Sequence, residues 1–276
     1  MPSPSSASTP DQRLPTFYLP HGGGPCFFME WPRGPAGTWD RMAAFLRGLI
    51  GTLAQRPRAV VVVSGHWEEP GFAVNTARQP ALLFDYYGFP PHTYQLKYPV
   101  AGDPALAARV RTLLEGAGLT TQADDRRGLD HGVFIPFMLA LPDADVPIVE
   151  LSLRADLDPA AHLLAGRALE PLRDEGVLVV GTGMSFHNLQ AYGPNGTTPS
   201  RLFDDWLTGA VTAPQADQRN QSLADWRLAP AARFSHPREE HLLPLMIAAG
   251  AAGQDLGSKI FEDQVMDVTL SGFRFG

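Results

Sequence analysis

A single cysteine, Cys26, stands in a chain of 276 residues. With no second thiol there is no internal disulfide, and a cysteine-based zinc site is excluded. Basic residues are scattered and the net charge is −7, so there is no positive stripe with which to neutralise the phosphates of a nucleic acid. No apolar run approaches the length of a membrane span. The opening residues, MPSPSSASTPDQR, lack the charged-then-apolar order of a secretory signal, and they predict a disordered tail over 1–15 on a cytoplasmic protein. Several catalytic fingerprints are missing as well. HGGG occurs at 21–24, as in the oxyanion loops of lipases, but no G-x-S-x-G elbow accompanies it and Ser185 in GTGMSF is out of register. That GTG lacks the third glycine of a dinucleotide loop, and there is no Walker A lysine.

What the chain does have is apolar mass, 44% of its residues, and no internal repeat or long linker. One large domain over 16–276 follows. TFYLP (16–20) reads as a buried strand ending at His21. RAVVVVSGHW (58–67) is a β-branched run typical of a strand covered on both faces, ending at His66. VPIVELSL (146–153) and VLVVGTGMSFHN (177–188) read as further strands, the second leading to His187. Helices are expected over 38–54 with Thr38 as N-cap, over 103–117 from Asp103 with Pro104 in the first turn, over 159–175, and over 239–251. QVMDVTLSGF near the C-terminus reads as an edge strand or hairpin. Strands alternating with helices predict an α/β fold, a single domain whose mixed, largely parallel central sheet carries helices on both faces.

Ligands of such sheets bind beyond the carboxyl ends of the strands. Of eight histidines, His21, His66 and His187 follow predicted strands beside small residues, so their side chains are expected to converge on one crevice as a metal or acid–base site. Neutral imidazole suits Zn(II) or Fe(II), and without thiolates only nitrogen and oxygen ligands remain. HPREEH (236–241) offers His236, Glu239, Glu240 or His241 to complete the set, and spacing alone does not choose among them. For the two glutamates the simpler expectation is first-turn acids favoured by the helix dipole. In RRGLDHGVFIPF (126–137), Asp130 would either fix the tautomer of His131 or cap the following helix. FDYYGFPPHTY (84–94) is read as an aromatic wall of a substrate pocket, with Tyr86, Tyr87, Phe89 and His92 as contacts. Cys26 is expected to be a packing residue, and His162, on the polar part of its helix, to be solvated.

Taken together, LPHGGGP, VVVSGHW, FDYYGFPPHTYQLKYPVAGDP, RGLDHGVFIPF, VPIVELSL, GTGMSFHNL and HPREEHLLPLMIAAGAAG resemble the class III extradiol ring-cleavage dioxygenases. The resemblance is to the subgroup that includes the 4,5-DOPA dioxygenases, and it runs in order from about Phe17 to the C-terminus. It implies a single α/β domain and makes His21, His66 and His241 metal ligands. His187 in SFHNL would be the acid–base catalyst or a fourth ligand, and His131 in LDHG would hydrogen-bond substrate or bound oxygen. Better-known members use two histidines and a glutamate, so a third histidine is a departure. The implied activity is Fe(II)-dependent opening of a catechol beside its two hydroxyls by O₂, with Zn(II) able to occupy the same site in purified protein. Two other readings of the same histidines are a zinc hydrolase with Glu239 or Glu240 as base, and a non-catalytic metal-binding relative.

Overall fold

The structure, a computed structural model, describes residues 13–276. Eight strands form one sheet: β1 (Thr16–Pro20), β2 (Ala59–Glu69), β3 (Phe72–Asn75), β4 (Thr121–Asp124), β5 (Ile148–Arg154), β6 (Val177–Gly183), β7 (Gly257–Val265) and β8 (Val268–Phe275), in the order β4-β3-β5-β2-β6-β1-β8-β7. The central run β5-β2-β6-β1 is parallel. Antiparallel pairings attach β3 to β5, β8 to β1, and β7 to β8. The expected fold is therefore present, and the C-terminal hairpin does lie at a sheet edge.

The valine run in β2 shows why both faces need cover. Val61 and Val63 join one core with α2 (Pro104–Gly116), α4 (Pro159–Leu169), α5 (Pro194–Val211), α6 (Ala216–Ala224), α7 (Ala232–Ser235) and α8 (Leu243–Ala251). Val60 and Val62 join the other with α1 (Asp40–Gly48) and α3 (His131–Ala140). Alternate side chains of a strand point to opposite faces, so a run without polar interruption must be sandwiched. Asp103 caps α2 as expected, accepting from the N–H groups of Ala105 and Leu106 at 3.0 Å each. Thr38 does not cap α1; its hydroxyl donates to Pro35 O, and the N-cap is Trp39.

Several elements are shorter than their periodicity predicts. α1 ends at Gly48 and α4 at Leu169, each passing into a 3₁₀ turn, and α8 begins only at Leu243. The expected tail over 1–15 falls largely outside the described residues. Its last three residues are ordered: Leu14 is buried, and its N–H donates to Arg173 O at 3.3 Å. Among the described residues no helix is long and apolar enough to cross a membrane.

Candidate active site

Chain topology brings five histidines to the carboxyl edge of the parallel strands. His21 follows β1 directly, and its N–H donates to Gly183 O. Gly22 behind it has φ +79°, a left-handed conformation that turns the backbone sharply without Cβ strain. His66 lies inside β2, not at its end: Val63 pairs with Leu151 but the next register pair is Glu68 with Leu153, so an irregularity carries His66 out of the ladder toward the site. β6 stops at Gly183, and His187 sits in the following loop, its N–H donating to Ser235 O. His131 opens α3. His241 precedes α8 and is pressed onto the sheet. Its carbonyl accepts from Tyr18 Oη (2.7 Å) and Met184 N (3.2 Å), and a side chain at Gly183 would collide with that carbonyl.

Possible ligand atoms gather in two adjoining groups, His21 with His66 and His131, and His187 with Glu240 and His241, and His66 Nε2 lies close to both. His66 Nε2 lies 3.3 Å from His21 Nε2 and 3.2 Å from His241 Nε2. Their other nitrogens have partners that set the tautomer: His21 Nδ1 donates to Gly22 O (2.9 Å) and His241 Nδ1 to Glu240 Oε1 (2.9 Å). His66 Nδ1 faces Asp85 Oδ2 at 3.6 Å. Buried lone pairs thus converge with too few protons to satisfy them. Burial, followed by mutual repulsion among the imidazoles, holds His21 and His241 well below the ordinary histidine range and His66 at about 4. Neutral nitrogens roughly 3 Å apart have the spacing of adjacent ligands on one ion with metal–nitrogen distances of about 2.0–2.1 Å. The donor set fits a divalent transition metal. His236, the competing candidate, is elsewhere: fully buried, it donates from Nε2 to Ser185 O at 3.0 Å.

Two imidazole–carboxylate pairs flank this centre. His131 donates from Nδ1 to Asp85 Oδ1 (2.8 Å), which also accepts the His131 N–H (3.0 Å), and its ring centroid is 4.0 Å from that of His66. His187 faces Glu240 Oε1 through Nδ1 (3.1 Å), and its ring stacks on His241 with centroids 3.3 Å apart. Burial raises the Asp85 carboxyl, but hydrogen bonds and charge from His131 outweigh it and bring it down to about 2. Glu240 is lowered likewise, burial being outweighed by His187. In each pair it is Nδ1 that meets the carboxylate, so Nε2 has no hydrogen-bond partner among the described residues.

Sequence reasoning overlooked Asp85 and misjudged Glu240. Asp85 lies beside the aromatics of the 84–94 loop, and an acid in a pocket loop was the signal available. Glu240 is no first-turn acid, since α8 starts later; it orients two rings. Glu239 is equally not a dipole acid: it is buried between Arg227 and Arg233, with Arg233 Nη1 at 2.6 Å. Asp130 stands at the N-cap of α3, but its side chain bonds neither the helix N–H groups nor His131, and instead accepts from Ser64 Oγ (2.7 Å) and Arg127 Nη2 (3.1 Å). His162 is not solvated. It is fully buried, with Nδ1 donating to Asp158 O and Nε2 accepting the Arg154 N–H.

The residues expected to wall a pocket divide between the histidine cluster and solvent. Tyr86 is buried, edge-on to His131 at 5.7 Å, and Phe89 packs on it and on Trp31. Tyr87, 91% exposed, turns to solvent and forms no part of the wall. His92 is exposed too, bonded through Nε2 to Phe28 O. Cys26 is buried, as expected of a packing residue.

Comparisons with known proteins identify the family. Residues 15–273 match the family described as the catalytic LigB subunit of aromatic ring-opening dioxygenase. Dioxygenase tasH of Hapsidospora irregularis is 36% identical, over 98% of this chain and 88% of its own. The 4,5-DOPA dioxygenase extradiol of Beta vulgaris is 38% identical, over 76% of this chain and 79% of its own. The protein of that name from Escherichia coli K12 is 32% identical, over 87% and 85%. A crystal structure of an uncharacterized protein from Escherichia coli K12 superposes with a TM-score of 0.76 at 28% identity, covering 96% of this chain and all of the other. By family match, relatives and fold, the chain belongs to the class III extradiol ring-cleavage dioxygenases of the LigB type.

Proposed function

We propose that the protein opens a catechol-type ring beside its two hydroxyls, adding both atoms of O₂ to give a muconic semialdehyde-type product, with Fe(II) held by His21, His66 and His241. The observation that carries this reading is the convergence of three neutral Nε2 atoms between two imidazole–carboxylate pairs. When bound, the metal supplies adjacent sites for diol and O₂ and a path for electrons between them. The chain's own groups hold the reactants and move protons. His187, whose Nδ1–H is committed to Glu240, can accept a catechol proton at Nε2 and return it as the O–O bond breaks. Asp85 fixes His131 so that its Nε2 can hydrogen-bond a hydroxyl or an oxygen atom in the crevice. Tyr86 and Phe89 give a flat ring an apolar surface to lie against. The zinc-hydrolase reading loses its base, because Glu239 is held by two arginines and Glu240 by two imidazoles.

Anaerobic loading with Fe(II), followed by a panel of catechols and air, tests the proposal. A yellow ring-fission product with one O₂ consumed per diol is expected, and His187→Ala should retain the metal while losing turnover. Iron-loaded protein that consumes no O₂ with any member of a broad panel overturns it.

A further inference from the structure

The segment bearing His66 is held by side chains where β5 no longer pairs with it. The His66 N–H donates to Ser64 Oγ (3.2 Å), and the Ser64 hydroxyl donates to Asp130 Oδ1 (2.7 Å). On the other side Arg127 Nη2 donates both to His66 O (3.0 Å) and to Asp130 Oδ2 (3.1 Å). Asp130, fully buried, therefore clamps the His66 peptide from both sides and directly precedes His131.

A second carboxyl lies behind it. Glu150 of β5 is opposite Val62 of β2, on the face that carries α3. It has no exposed surface, and neither of its oxygens meets a donor. Asp130 is the charged neighbour that bears on it most strongly. Burial without donors strongly disfavours the ionised carboxylate, and a second negative charge beside it disfavours it further. A proton on Glu150 removes both penalties, because a carboxylic acid is neutral and donates one hydrogen bond.

We infer that Glu150 is a positioning residue that keeps its proton at neutral pH and donates it to Asp130, the residue that clamps the His66 peptide. Its importance for turnover rests on the function proposed above; the proton itself does not. The charged groups facing Glu150 are Asp130 and Arg127 from the loop before α3 and Asp85 from the loop after β3. Burial first, and then Asp130, push its carboxyl well above the usual range, with Arg127 opposing. Unfolded, Glu150 releases its proton above about pH 4.3, whereas folded it retains it, so its contribution to stability declines as pH rises through that window.

Glu150→Gln keeps a donor and removes the titration, which makes it the informative variant. Infrared spectra of the metal-free protein at neutral pH should show the carbonyl stretch of a protonated carboxylic acid in the wild type and lose it in Glu150→Gln. The melting temperature of the variant relative to the wild type should rise between about pH 5 and about pH 8. Zn(II), a redox-silent probe, should bind Glu150→Gln within about threefold of wild type and Glu150→Leu at least roughly tenfold more weakly, as befits loss of a group that orients a ligand. Absence of the carboxyl band together with a pH-independent difference in melting temperature overturns the inference. Unchanged Zn(II) affinity in Glu150→Leu overturns the clamp. If Glu150→Leu fails to fold, the glutamine arm still decides. None of these readouts uses a catechol, so a protein that shows the band yet consumes no O₂ keeps this inference and refutes the proposed function.

Discussion

At the scale of single residues, the choice between His236 and His241 is the sharpest available. Five residues apart, both are buried, and both bond through one nitrogen to a fixed acceptor. Only His241 turns its free nitrogen toward His66. Equilibrium dialysis with Zn(II) should show His241→Ala binding at least about a hundredfold more weakly, a ligand having been removed outright. His236→Ala should bind nearly as well as wild type while losing about 2–3 kcal/mol of stability, through the cavity it leaves and the orphaned Ser185 carbonyl. The reverse pattern would mean that the wrong histidine has been assigned. The gathering of His21, His66 and His187 was legible because the ends of parallel strands converge, whereas His241 was singled out only by the family resemblance. The carboxylate partners were not legible. Asp85 lies 46 residues from His131 and Glu240 lies 53 from His187, and nothing local announces such pairs. His162 misled for a related reason: a histidine in the first turn of α4 looks solvated until Arg154 and Asp158 are seen to satisfy both its nitrogens.

At the scale of elements, the site depends on how closely α8 and its leading turn approach β6. Gly181 and Gly183 leave no room for side chains beneath the carbonyls of Pro244 and His241, so the GTG of β6 serves helix contact and not a nucleotide. Gly183→Ala should lower the melting temperature by roughly 5 °C or more, overpacking against a backbone atom costing about 1–3 kcal/mol. Gly209→Ala, in α5 with open space around it, should be neutral or raise it, since alanine favours a helix over glycine by about 1 kcal/mol. Paired thermal melts check both, and equal effects would show that contact with α8 is not what selects glycine. Strong periodicity made β1, β2, β5, β6, α2 and α4 readable in sequence. The short β3 and β4, at four residues each, carried too little pattern, and the start of α8 was masked because HPREEH looks like a helix entrance while forming a turn.

For the whole molecule, buried histidines away from the site should dominate how stability responds to mild acid. His162 and His236 are each depressed by burial to about 4. In His162 the cause is also visible in the geometry: a second proton would go on Nε2, which already accepts the Arg154 N–H. The unfolded chain takes up these protons below about pH 6.5, whereas the native protein resists until about pH 4, so stability rises with pH through that window and is lost as pH falls. Each group can account for up to about 3 kcal/mol of that loss. Among the proposed ligands, His66 behaves in the same way in metal-free protein, and metal binding would steepen the acid limb because protons and the ion compete for the same nitrogens. Holding the protein metal-free separates the two contributions. Under that condition His162→Gln, which cannot titrate, should have a shallower fall in melting temperature between about pH 6.5 and about pH 4 than the wild type, even if it is less stable at neutral pH. An unchanged slope in His162→Gln would show that His162 is not among the groups that set the acid limit of this fold.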